Sequence, residues 1–140
     1  VTDLQRILKA DQPLTLSGVA SGFLPWLLAD LARAAKGRAV CIAPDELAMR
    51  GIAEAASYFA PELEVIQYPA WDCLPYDRAS PSLRSSSDRL AALHALQRQA
   101  SSAQLLVTTA NAATQRTLTP FRIRQLVAKL APGERIDRDQ

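Results

Sequence analysis

The 140-residue chain is poor in the residues that most often carry chemistry: two cysteines, one histidine, one methionine, and 6% aromatic residues. Cys41 and Cys73 match no metal-ligand spacing, and Cys41 sits in an apolar run as a small buried hydrophobe would, so free thiols in a reducing compartment are expected. The lone His94 has no cysteine or second histidine four residues on, and reads as a satisfied helix residue rather than a ligand or general base. No apolar run approaches the ~20 residues of a membrane span, and the N-terminus has neither a signal-type hydrophobic core nor an initiating methionine. The chain also stops just after a turn and a fresh polar stretch, at Arg138-Asp139-Gln140, which reads as a piece of a larger cytoplasmic protein. Charge of one sign is lacking too. A net charge of +2 does not argue for an electrostatic nucleic-acid binder, although the cations are 13 arginines against 3 lysines.

What is present is the composition of an ordinary globular domain, 49% hydrophobic and 21% charged. Leu14-Thr15-Leu16 is a short strand candidate, followed by a Ser17-Gly18 turn. From Ser21 the spacing of Leu24, Leu27, Leu28, Leu31 and Ala35 predicts a helix, with Pro25 in its first turn and Gly37 as its stop. Residues 39–43 form an apolar run without alternation, as expected of a strand covered on both faces. Asp45 caps a second helix with Ala48, Ile52, Ala55, Ala56 and Phe59 inward, closed by Pro61. Residues 63–68, rich in Val, Ile and Tyr, make the next strand. After an irregular stretch over 69–85, a helix is predicted from about Asp88 to Gln99 with Leu90, Leu93 and Leu96 inward. Residues 105–108 form a fourth strand, Asn111 to Gln115 a helical turn, and Gln125 to Ala131 either helix or strand. Strand–helix alternation of this kind predicts an α/β fold: a parallel sheet with helices on both faces, because parallel neighbours need crossovers.

The loop after the first strand is where nucleotide phosphates would be held, at a helix N-terminus. Aligned from Gly18 on the phosphate-loop pattern, Phe23 stands in place of the second glycine, Leu24 in place of the lysine, and Pro25 in place of the magnesium-binding hydroxyl. The shape of such a loop is kept and its charge compensation lost, so no cofactor is expected in this chain. Nor does the Ser17 to Gly22 stretch fit a nucleophile elbow.

The most individual segment runs from Tyr68 to Arg78. It gathers three of the eight aromatics, two carboxylates and two prolines where α/β proteins place their sites. Two readings stand side by side. In one, Trp71 and Leu74 pack the loop down while Asp72 and Asp77 cap turns; in the other, Trp71, Asp72, Tyr76 and Asp77, with Arg84 and Arg89 nearby, form an interaction surface.

The string Trp71 to Pro81, followed by Ser87-Asp88-Arg89-Leu90, with Val40 to Asp45 before it and Gly133 to Arg138 after it, resembles the amino-terminal region of the bacterial transcription-repair coupling factors. That region is similar to the first domain of the damage-recognition protein UvrB, a degenerate helicase-like α/β domain, followed by a small UvrA-binding domain. The resemblance implies a UvrB-like domain over residues 1–119 and the start of the UvrA-binding domain over 120–140, with Gln125 to Ala131 as its opening strand. It implies a non-catalytic module in transcription-coupled nucleotide excision repair, scaffolding the UvrA-binding region. ATP, magnesium, DNA translocation and contact with RNA polymerase would belong to other domains of the parent. The stretch from Trp71 to Ser85 is too short for UvrB's DNA-probing hairpin. The alternatives are a DNA-binding module resting on Arg84 and Arg89 or, from a third class, a nucleotide-binding enzyme domain.

Overall fold

Caps and apolar spacing place the first elements of the computed structural model, which describes residues 4–35, 37–74, 78–98 and 102–127. A short helix α1 (Leu4–Leu8) precedes α2 (Leu24–Ala35), β1 (Arg38–Ala43), α3 (Glu46–Phe59), β2 (Glu64–Tyr68), α4 (Leu83–Gln97), β3 (Gln104–Thr109), α5 (Ala110–Thr114) and α6 (Pro120–Leu126). Asp45 caps α3 as expected, its Oδ1 accepting from the Ala48 N–H at 2.8 Å.

The strands pair in parallel in the order β1-β3-β2, with Val40 opposite Leu106 and Ile66 opposite the same residue on the other side. The crossover from β1 to β2 runs one way along the sheet and the return to β3 runs the other. Right-handed connections therefore put α3 and α4 on opposite faces. On one face, α2 and α3 approach closely through Ala29, Ala32, Ala53 and Ala56, all fully buried, around Met49, Leu105 and Val107. On the other, α4 and α5 cover Ile66 and Tyr68 with Ala92 and Ala112. The expected α/β architecture is present.

Several local expectations are corrected. Residues 14–16 form no strand, and Leu14 and Leu16 stand about half exposed, bridged to neither edge of the sheet. The sheet therefore has three strands among the described residues. The second face of the run over 39–43 is poorly covered: Val40 and Ile42 are 58% and 61% exposed, because α4 lies over β2 and meets β1 near its first residue, where Arg38 Nη2 donates to the Leu96 carbonyl at 3.2 Å. The strand buried on both faces is the central β3.

In α3 the innermost stripe is Met49, Ala53 and Ala56, leaving Phe59 44% exposed. Helix α4 begins at Leu83 rather than near Asp88, because Ser82 is the cap and accepts from the Ser85 N–H. Its inward stripe is Ser85, Arg89 and Ala92, with Leu90, Leu93 and Leu96 only half-buried beside it. After Thr119, Pro120 opens α6, whose Ile123 is buried where α6 meets α4. Gln125 and Leu126 end that helix instead of opening a strand, and positions 128–131 lie outside the described residues.

Candidate functional site at the carboxyl edge of the sheet

Arg89 is the largest side chain that the fold fully buries, at 1% exposure. Its guanidinium lies 4.3 Å from the centroid of the Tyr68 ring and 4.4 Å from that of Trp71, a cation between two aromatic faces. Nη1 donates to the Pro69 carbonyl at 2.6 Å and to Gln115 Oε1 at 3.1 Å, and Nη2 donates to the Tyr68 hydroxyl. Nε is buried without a hydrogen-bond partner. No carboxylate of the described residues forms an ion pair with Arg89. Burial lowers its pKa below the usual arginine value, opposed by the charges of Tyr68 and Glu46, and burial likewise raises that of the Tyr68 phenol.

Around this cation the backbone leaving β2 is held at successive groups. Besides the Pro69 carbonyl on Arg89, the Ala70 N–H donates to Glu46 Oε1 at 2.8 Å, and the Ala70 carbonyl accepts from the Ser85 hydroxyl at 3.5 Å. The Trp71 N–H donates to Gln115 Oε1 at 2.9 Å. The partners come from α3, from α4 and from the residue after α5, so three elements fix one segment of irregular chain. Beyond it, Asp72 Oδ1 accepts from the Ser82 N–H at 3.1 Å and joins the two ends of the following loop. The Ser82 hydroxyl and N–H together hold the Asp72 carboxyl below the ordinary carboxylate range. The arrangement can present a surface loop from a rigid base. It contains no nucleophile paired with a base, and no cluster of metal-ligating side chains occurs among the described residues.

The six residues singled out from the sequence are thus not equivalent. Trp71 is half-buried over the guanidinium; Asp72 is exposed at the pinch of the loop; Arg84 is 88% exposed, with Nε 3.9 Å from Asp88. Arg89 is a correction: it points inward, held by its ring and carbonyl partners, and offers no accessible charge. Tyr76 and Asp77 lie outside the described residues. Gln115 and Glu46, which complete the arrangement, carried no signal in the sequence because their partners are backbone groups 24 to 44 positions away. His94 lies half-buried on α4 with Nδ1 lacking a partner, so it is not the satisfied residue expected.

The other candidate, the turn before α2, is built differently. Gly18 adopts φ +70°, a left-handed conformation that suits glycine. The N–H groups of Phe23 and Leu24 both donate to the Ala20 carbonyl, that of Leu27 donates to Phe23, and Pro25 has none. Phe23 and Trp26 pair their rings at 5.0 Å, partly exposed, and Pro25 is buried.

No helix of the described residues is long and apolar enough to cross a membrane. No family model matches the chain. Over 140 aligned positions covering 94% of its length, the chain is 33% identical to the transcription-repair-coupling factor of Myxococcus xanthus, and it spans 11% of the length of that relative.

Proposed function

We propose that this chain is the amino-terminal, UvrB-like region of a transcription-repair coupling factor, acting there as a non-catalytic module. On this reading residues 1–119 are the degenerate helicase-like domain, and residues 120–140 begin the domain that binds UvrA. The module seats that domain against the rest of a cytoplasmic parent protein. The parent's distant motor domains bind ATP and magnesium, move on DNA and displace stalled RNA polymerase. The similarity to the Myxococcus xanthus factor supports the setting. The rigid base under the 72–82 loop supports a role in packing between domains rather than in turnover.

The observation that carries the non-catalytic part is the start of α2. A phosphate site at a helix N-terminus needs several free N–H donors and, for a triphosphate, a lysine. Of the first four residues of α2, only Trp26 retains an N–H that is neither bonded within the turn nor missing. No lysine occurs between Lys9 and Lys36. Calorimetric titration of the chain with Mg-ATP tests this: only heats of dilution are expected up to millimolar nucleotide. Saturable binding in the micromolar range overturns the reading. DNA binding through Arg84 and Arg89 is not favoured, since the fold withdraws Arg89 from solvent.

A further inference from the structure

Strand β2 ends the sheet opposite to β1, with β3 on one side only. The Glu64 N–H donates inward to the Ala103 carbonyl, which sets the phase of the strand: Glu64, Ile66 and Tyr68 direct their backbone groups to β3. The N–H and C=O groups of Val65 and Gln67 therefore face outward, and no described residue pairs with them. Natural edges of this kind are usually blunted by a lysine, a proline or a bulge. The sequence of β2, EVIQY, has none of these, and its only charge is at its first residue.

This edge is the floor of a groove of about 470 Å³. Met49 and Arg50 of α3 form one wall, and Ala91, Ala92 and Ala95 of α4 form the other. A strand laid along β2 would direct alternate side chains toward the two walls. The alanines leave room for side chains of medium size on the α4 side.

The charges of the groove are unequally matched. The Glu64 carboxylate is held by Arg98 and by Gln104 Nε2, and Asp88 faces Arg84. Arg50 forms no ion pair or hydrogen bond with any described residue. The surplus charge of the groove is thus one guanidinium on the α3 wall. A second copy paired through its own β2 would bring only Glu64, which is already engaged, and one paired through its β1 would bring no carboxylate.

We propose that the outer edge of β2 is a docking site for an extended segment of another protein, which adds to the sheet as a further strand and sets an acidic side chain against Arg50. Backbone hydrogen bonds to Val65 and Gln67 supply the attachment. The two helix walls select β-branched side chains of medium size, and Arg50 selects the acid.

The test uses the whole 140-residue chain, labelled with nitrogen-15. The probe is a blocked nonapeptide of alternating valine and threonine with a glutamate near one end. Amide shifts and slowed hydrogen exchange are expected at Val65 and Gln67. N-methylation of alternate peptide bonds in the probe should weaken binding at least tenfold. Glutamate replaced by lysine in the probe, or Arg50→Glu in the chain, should weaken it about two- to fivefold, the range of an exposed ion pair. Gln67→Pro should abolish the response at the edge; should that variant not fold, the N-methylated probe interrogates the same bonds from the other side. Any of three results overturns the proposal: no response at Val65 and Gln67 up to millimolar probe, equal binding of the methylated and unmethylated probes, or a dimer by sedimentation that protects the same two amides.

Discussion

Replacing Arg89 by methionine separates what its cation does from what its stem fills. The thioether would keep a long, flexible side chain against Tyr68 and Trp71 while removing every donor. Three acceptors then lose a partner. Gln115 Oε1 retains the Trp71 N–H at 2.9 Å, and the Tyr68 hydroxyl can rotate, but the Pro69 carbonyl has no other donor among the described residues. An unsatisfied buried carbonyl costs about 1–3 kcal/mol, and each ring contact with the cation is worth roughly 0.5–2 kcal/mol.

Against these losses stands the desolvation of a guanidinium without an ion pair, a penalty of several kcal/mol that disappears with the charge. The expected net loss for Arg89→Met is therefore about 1–3 kcal/mol. Arg89→Ala also leaves a cavity and should lose about 3–5 kcal/mol. Urea unfolding followed by circular dichroism at 222 nm and by tryptophan fluorescence measures both. If Arg89→Met is as stable as the parent within about 0.5 kcal/mol, the guanidinium does not hold the exit from β2 and the account of the clamped segment is wrong. If alanine costs no more than methionine, the side chain is not packed as described.

Trp71 is only half-buried, so Trp71→Ala should cost about 1.5–2.5 kcal/mol, short of the roughly 3–5 kcal/mol of a fully buried ring; urea unfolding that shows a loss above about 4 kcal/mol refutes its half-exposure, and one below about 0.5 kcal/mol refutes its packing over Arg89. Asp72 has a folded-state pKa below its unfolded value of about 4, so its contribution to stability is present above that pH and is lost as pH falls through the folded-state value. Asp72→Asn should flatten the acid limb of the stability–pH curve, measured by urea midpoints between about pH 2 and 6; an unchanged limb shows that the Asp72–Ser82 contact is not maintained in solution.

Legibility from sequence followed the strength of local signals. Asp45 caps its helix through backbone chemistry that acts within a few residues, and β2 and β3 announce themselves by β-branched side chains. The face of α4 was only partly legible: Leu93 and Leu96 do pack against the core over Ile66 and Tyr68, but the innermost positions are Ser85, Arg89 and Ala92. A buried arginine becomes tolerable only when Tyr68, Pro69 and Gln115 converge on it, and that convergence is a property of the tertiary fold. The run over 39–43 is a strand as expected, but burial of both its faces and a strand over Leu14 to Leu16 were misread for a related reason: apolar residues advertise burial that the elements present supply only in part. The segment after Tyr68 was recognisable as unusual from its aromatics and prolines. That its backbone is fastened at three successive residues was not.

The bare side of β1 gives neighbouring positions in one strand opposite tolerances. Cys41 is partly sheltered by the α2–α3 layer and burial raises its thiol pKa, while Val40 and Ile42 spend their methyl groups in water. Threonine at 40 and 42 would preserve the β-branched shape that a strand favours and surrender less buried area than a change at Ala43, which is 2% exposed. Those two aliphatic residues add to the apolar surface that the chain shows to water, and contribute less to its core than Cys41 between them.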